Sequence, residues 1–106
     1  MLKNNKMHLI EFSNIAEQVL LFIADTIESF DSDGLIDVDF NNDMINISTD
    51  KGIFIINKHS ASMQIWLASP ISGPYHFSYA NGKWYSHAGS ELFEILTNEL
   101  QIIFKP

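Results

Sequence analysis

Nine of the thirteen carboxylates of this 106-residue chain fall between Glu11 and Asp43: Glu11, Glu17, Asp25, Glu28, Asp31, Asp33, Asp37, Asp39 and Asp43. No Lys, Arg or His interrupts them. Carboxylate oxygen is a donor for hard cations, and acids without local cations cannot neutralise one another through i,i+4 pairs. The folded chain must therefore carry a surface of strong negative potential, which attracts metal ions or a basic partner. Asp25 and Glu28 are spaced i,i+3, and Asp37 and Asp39 alternate, so each pair can bring two oxygens towards one ion. Nothing in this spacing closes a cage. A solvated ridge leaves water in most coordination positions, so it binds weakly and exchanges readily. Asp31-Ser32-Asp33-Gly34 is not an EF-hand, because the glycine comes two positions early and Asn42 stands where the closing Glu belongs.

Other chemistries are excluded by composition. Without Cys there are no disulfides, thiolate nucleophiles or thiolate ligands, which suits a reducing compartment. A net charge of −7 with six Lys and no Arg argues against nucleic acid as a partner. His8, His59, His76 and His87 are scattered, without the spacing of a metal pair. No Glu-x-x-His, P-loop, G-x-S-x-G or dinucleotide fingerprint occurs, so no catalytic residue and no organic cofactor is assigned. No apolar run reaches membrane-spanning length, and Met1 to Met7 has neither a secretory nor a transit pattern, so the expectation is a soluble, unprocessed chain with no membrane partner.

The elements that must position the acids follow from periodicity. Phe12, Ile15, Ala16, Val19, Ile23, Ile27 and Phe30 recur at three- and four-residue steps, predicting an amphipathic helix over about residues 10–30. Glu17, Leu21, Asp25 and Glu28 fall on its opposite face, a carboxylate ridge with one apolar residue inside it. After the Asp31–Gly34 break the period becomes two: Ile36, Val38 and Phe40 point inward, Asp37 and Asp39 outward. Strands are then predicted at 44–49, 53–58, 63–68, 75–79 and 84–86, the last two joined through Asn81-Gly82. Ser90 is expected to cap a closing helix with Leu92, Leu96, Leu100 and Ile103 on its buried side. Strands grouped between two helices predict one α+β domain over residues 1–106, a two-layer sandwich with a six-stranded antiparallel sheet and both helices on one face. If Ile65 and Leu67 are core, Gln64 and Trp66 share the uncovered face, where an aromatic beside an amide is a typical protein-docking anchor.

Gln64-Ile65-Trp66-Leu67-Ala68-Ser69-Pro70-Ile71-Ser72-Gly73-Pro74, with Ile56-Asn57-Lys58 before it and Tyr75-His76-Phe77 and Trp84-Tyr85-Ser86-His87 after it, strongly resembles the frataxin family. Tyr75-His76-Phe77 is similar to its bacterial, CyaY-type branch. The resemblance implies a cytoplasmic, iron-binding protein of iron–sulfur cluster assembly. Such a protein binds ferrous or ferric iron weakly and exchangeably and acts on the cysteine desulfurase and the iron–sulfur scaffold protein as iron donor, as regulator, or as both. It also implies a monomer, open to iron-dependent assembly. Carried over, the metal ligands are Asp25, Glu28, Asp31, Asp33, Asp37 and Asp39, with Glu17 and Glu11 at the outer end. The partner contacts are Asp25, Glu28, Asp31, Leu21, Gln64 and Trp66. Ala24, Ser29 and Leu35 stand where this register places acids in other members, which makes the ridge thinner here. A ferroxidase that oxidises bound ferrous iron is the alternative reading.

Overall fold

The computed structural model describes residues 7–106. Residues 1–6, which make up nearly all of the stretch read as an unprocessed start, lie outside the described residues. The order is α1 (Leu9–Phe30), β1 (Asp37–Asn41), β2 (Met44–Thr49), β3 (Gly52–His59), β4 (Gln64–Ser69), β5 (Gly73–Ala80), β6 (Lys83–Ser86) and α2 (Leu92–Leu100). The six strands form an antiparallel meander in sequence order, each paired with its chain neighbour. Asn81 (φ 53°) and Gly82 (φ 81°) both take the left-handed backbone that a tight β5–β6 hairpin requires. No helix of the described residues is long and apolar enough to cross a membrane.

Period-two alternation sends Ile45, Ile47, Phe54, Ile56, Ile65, Leu67, Phe77 and Trp84 to one face of the sheet, where all are buried. Helix α1 covers that face with Phe12, Ala16, Leu20, Ile23, Ala24 and Ile27, and α2 with Leu92, Phe93, Leu96 and Leu100. Each large side chain buried there stabilises the fold by about 1.5–3 kcal/mol, and Phe12 meets Trp84 edge-on with ring centroids 6.0 Å apart.

Apart from the end of α2, the helix and strand boundaries agree with the predicted ones to within a residue or two, and four details differ. Leu20 and Ala24 belong to the core stripe, whereas Phe30, at the helix end, is exposed. Because Ala24 packs inside, it is not a vacated ridge position; Ser29 and Leu35 are on the surface. The cap of α2 is Glu91, whose Oε1 accepts from the Glu94 N–H at 3.0 Å, and not Ser90. Ile103 lies beyond the end of α2 and faces solvent, while Ile102 and Phe104 of the tail turn into the core. The left-handed Gln101 (φ 59°) ends the helix and reverses the register that would have buried Ile103.

Candidate metal-binding ridge and the uncovered sheet face

Asp25 and Glu28 project from the solvent side of α1, while Asp33 precedes β1 and Asp37 and Asp39 stand on the outward side of that strand. All five are exposed, and among the described residues no hydrogen bond or ion pair engages their carboxylates. The fold thus lays them along one edge of the molecule, where β1 is the last strand and pairs only with β2. They do not converge: among the described residues no group of three or more His, Asp or Glu is close enough to hold an ion within one shell. The donor set suits a hard cation with most of its water retained.

The remaining acids of the run are committed to the fold. Glu11 forms a reciprocal capping box with His8 at the start of α1, its Oε1 3.4 Å from the His8 N–H. Asp31 accepts from the Leu35 N–H at 3.0 Å and the Ile36 N–H at 2.8 Å, which fastens the loop between α1 and β1. Glu17 is not a free ridge acid: its Oε2 lies 2.8 Å from Lys58 Nζ, which also donates to Ser13 Oγ at 2.8 Å and lies 3.3 Å from Asp43 Oδ1. The Lys58 side chain is only 5% exposed. Hydrogen bonding to Lys58, its charge and the Ser13 hydroxyl hold the Glu17 carboxyl below its usual range. The Lys58 ammonium is correspondingly raised by its hydrogen bond to Glu17, against the opposing effect of burial. Among the described residues the ridge therefore has one cation after all, delivered from β3. The signal was present in the sequence: Phe54, Ile56 and Lys58 form one alternating row, so a core-facing lysine had to end beneath the acidic helix.

Leu21 is 52% exposed among the helix acids, as its position on the ridge required. On the sheet face that neither helix covers, Trp66 is present as expected but is not a lone displayed ring. His59 stacks on one face of its indole (centroids 3.7 Å, planes 8° apart) and His76 on the other (4.0 Å, 9°). Gln64 fixes its edge, Oε1 accepting from Trp66 Nε1 at 2.9 Å, while its amide Nε2 donates to Ser78 Oγ at 3.3 Å. The histidines are far apart in sequence, and strand register joins them: Trp66 pairs with His76, and His59 with Gln64. The Ser69–Pro74 loop that follows β4 is tied to α2, since Ser69 and Ser72 donate to the two oxygens of Glu99 at 2.6 and 2.5 Å.

Comparison with known proteins agrees with this architecture. The family model for a frataxin-like domain (CyaY) matches residues 5–106. A frataxin from Psychromonas ingrahamii superimposes with a TM-score of 0.82 at 27% identity, covering 94% of this chain and 100% of that one. A trimeric frataxin from Saccharomyces cerevisiae, complexed with ferrous iron, superimposes with a TM-score of 0.76 at 33% identity, covering 94% of this chain and 89% of that one. A second yeast frataxin gives 0.75 at 28% identity, covering 95% and 94%. With the helix–meander–helix order, the acidic first edge and the Trp66 face in place, the chain belongs to the frataxin-like (CyaY) family.

Proposed function

We propose that this protein binds ferrous iron weakly along the α1–β1 edge and carries it to, or uses it to regulate, the cysteine desulfurase and scaffold protein of iron–sulfur cluster assembly. The observation that supports this reading is the row Asp25, Glu28, Asp33, Asp37 and Asp39, five exposed carboxylates without a protein partner among the described residues, in a chain of the frataxin family. Oxygen donors and open coordination positions favour a cargo ion that is readily passed on. Glu11, Glu17 and Asp31, already held by His8, Lys58 and the backbone of the α1–β1 loop, are secondary ligands. The same row, with Leu21 inside it, docks on a Lys/Arg-rich surface of the desulfurase through charge, and Gln64 and Trp66 supply a second, packed contact in the same assembly.

Anaerobic NMR titration with ferrous iron tests the first part. Resonances of Asp25, Glu28, Asp33, Asp37 and Asp39 should move first, and manganese should compete. Movement centred on His76 and His87 would overturn the ridge assignment. Desulfurase activity titrated with the protein, with and without iron and across a salt series, tests the second part: neutralising Asp25 and Glu28 should flatten the salt dependence of complex formation, and an unchanged slope would remove the ridge as docking surface.

A further inference from the structure

Two of the four histidines meet across a strand pair at the end of the sheet farthest from β1. Phe77 on β5 pairs with Ser86 on β6, and the same register carried one residue further sets His76 opposite His87. Residues directly opposite one another in an antiparallel pair have Cβ atoms roughly 5 Å apart and share a face of the sheet. Both histidines are exposed. They line two open clefts of about 470 and 420 Å³, which have only His76, Ser86 and His87 in common, so the pair of rings lies where the clefts join.

Both are held in place by groups that leave their nitrogens free. His76 stacks on Trp66 with centroids 4.0 Å apart and planes 9° apart, which fixes the plane of the ring and presents its nitrogens at the edge. The backbone that carries His87 is locked on both sides: Ser86 N–H donates to Ser90 O at 2.8 Å, Gly89 N–H to Ser86 O at 2.9 Å and Ser90 N–H to Ser86 Oγ at 3.0 Å. His59 Nδ1 is taken by Ser62 Oγ at 2.7 Å, whereas among the described residues no hydrogen bond engages the ring of His76 or His87. Ligands that are already ordered lose little freedom when they bind.

We infer that His76 and His87 form a two-imidazole site for a borderline divalent ion, copper or zinc, separate from the carboxylate ridge. Imidazole nitrogen suits these ions, and affinity rises along the divalent series towards copper, with ferrous iron low in it. A hard cation finds no carboxylate beside the pair. From Lys51 to Ser90 the chain contains no Asp or Glu. Asp37 and Asp39 share this sheet face but stand on β1, at the opposite edge of the six strands. Glu91 bridges to Tyr85, yet its carboxylate is buried and caps α2. His59 is cut off by the indole, which lies between it and His76. Among the described residues no third His, Asp or Glu joins the pair. Two protein nitrogens therefore hold the ion, water or an outside ligand completes its shell, and the bound ion ties β5 to the turn after β6.

The site does not depend on the iron reading of the ridge, and the test keeps the two apart. At about pH 7.5, where an ordinary imidazole is mostly neutral, zinc titrated into the protein should move the ring resonances of His76 and His87 together in NMR, with one midpoint. Copper should broaden the Trp66 indole N–H, which is stacked on His76, before that of the core Trp84. A chelate needs both rings, so His76→Gln should abolish the zinc response of His87, and His87→Gln that of His76. His59→Gln and the double variant Asp25→Asn with Glu28→Gln should bind zinc as the parent does. His87→Gln leaves the Trp66 stack intact, which guards against a loss caused by disturbed packing at His76. If each ring responds alone with its partner removed, the two are isolated surface imidazoles and the inference fails. It fails equally if the zinc response follows His8, His59 or the ridge acids. Ferrous iron titrated into the same histidine variants should still reach the ridge, so loss of the imidazole site leaves that reading untouched.

Discussion

Lys58 is where the acidic helix is tied to the sheet, and truncating it separates the contribution of its charge from that of its stem. Its Nζ has Glu17 Oε2 and Ser13 Oγ at 2.8 Å and Asp43 Oδ1 at 3.3 Å, with the side chain 5% exposed. Hydrogen bonds to charged groups contribute about 1.5–3 kcal/mol, but removing an ammonium from water costs several kcal/mol, so the two largely cancel. Glu17 and Asp43 are 52% and 60% exposed and would rehydrate when the lysine is gone, so no buried charge is stranded. What Lys58→Ala loses is then mainly three buried methylenes at about 0.8 kcal/mol each, close to 2 kcal/mol. For a domain of this size that lowers Tm by roughly 8–15 °C. Lys58→Met keeps a stem of similar length and should stay within about 1 kcal/mol of the parent. It should also bind ferrous iron more tightly at the Glu17 end, because two carboxylates have been released. Thermal unfolding of both variants at low and high salt, with iron titrations, decides the matter. If Lys58→Met falls as far as Lys58→Ala, the ion pair holds the helix and the stem argument fails.

Three further outcomes are expected. The depressed Glu17 carboxyl contributes stability that is present above about pH 4.5 and disappears as pH falls through its folded value, and the raised Lys58 contributes stability that is present below about pH 10.5 and fades above it; Glu17→Gln should flatten the acid limb of a Tm–pH curve, and an unchanged limb would assign that limb to other groups. Asp31→Ala, which orphans the Leu35 and Ile36 N–H groups, should cost roughly 1–3 kcal/mol in denaturant melts, whereas Asp33→Ala should change stability by no more than about 0.5 kcal/mol; equal losses would mean the loop is not fastened by Asp31. Gly52→Ala places a Cβ 2.6 Å from Pro70 Cβ at φ +126° and should cost roughly 1–3 kcal/mol, more than Gly34→Ala, where the added carbon meets open space.

Strong local signals made most of the fold legible. The three- and four-residue steps of α1, the alternation Ile36-Val38-Phe40 and the Asn81-Gly82 turn each depend on neighbours a few residues away, and all appear where predicted. The family motif around Trp66 and the acidic edge were likewise readable. The missed features depend on pairing between distant segments. Lys58 meets Glu17 only because β3 passes under α1, and His59 and His76 reach opposite faces of Trp66 only because β4 lies between their strands in this register. Ile103 was misplaced because one left-handed residue, Gln101, stops the helix before its period could bury it. In the ridge, sequence placed the acids on the surface but could not separate the five without protein partners among the described residues from Glu11, Glu17 and Asp31, which are committed to capping, an ion pair and a loop.

The meander joins only sequence neighbours, yet its buried face is roofed by segments from the two ends of the chain: α1, and α2 with the tail residues Ile102 and Phe104. During synthesis the sheet can therefore zip hairpin by hairpin as it emerges, while half of its roof does not yet exist. At about 5–20 residues per second, the apolar row running from Ile45 to Trp84 waits seconds for α2 and the tail. Until they arrive it is a sticky surface open to other chains, and completion of the fold waits on α2, Ile102 and Phe104.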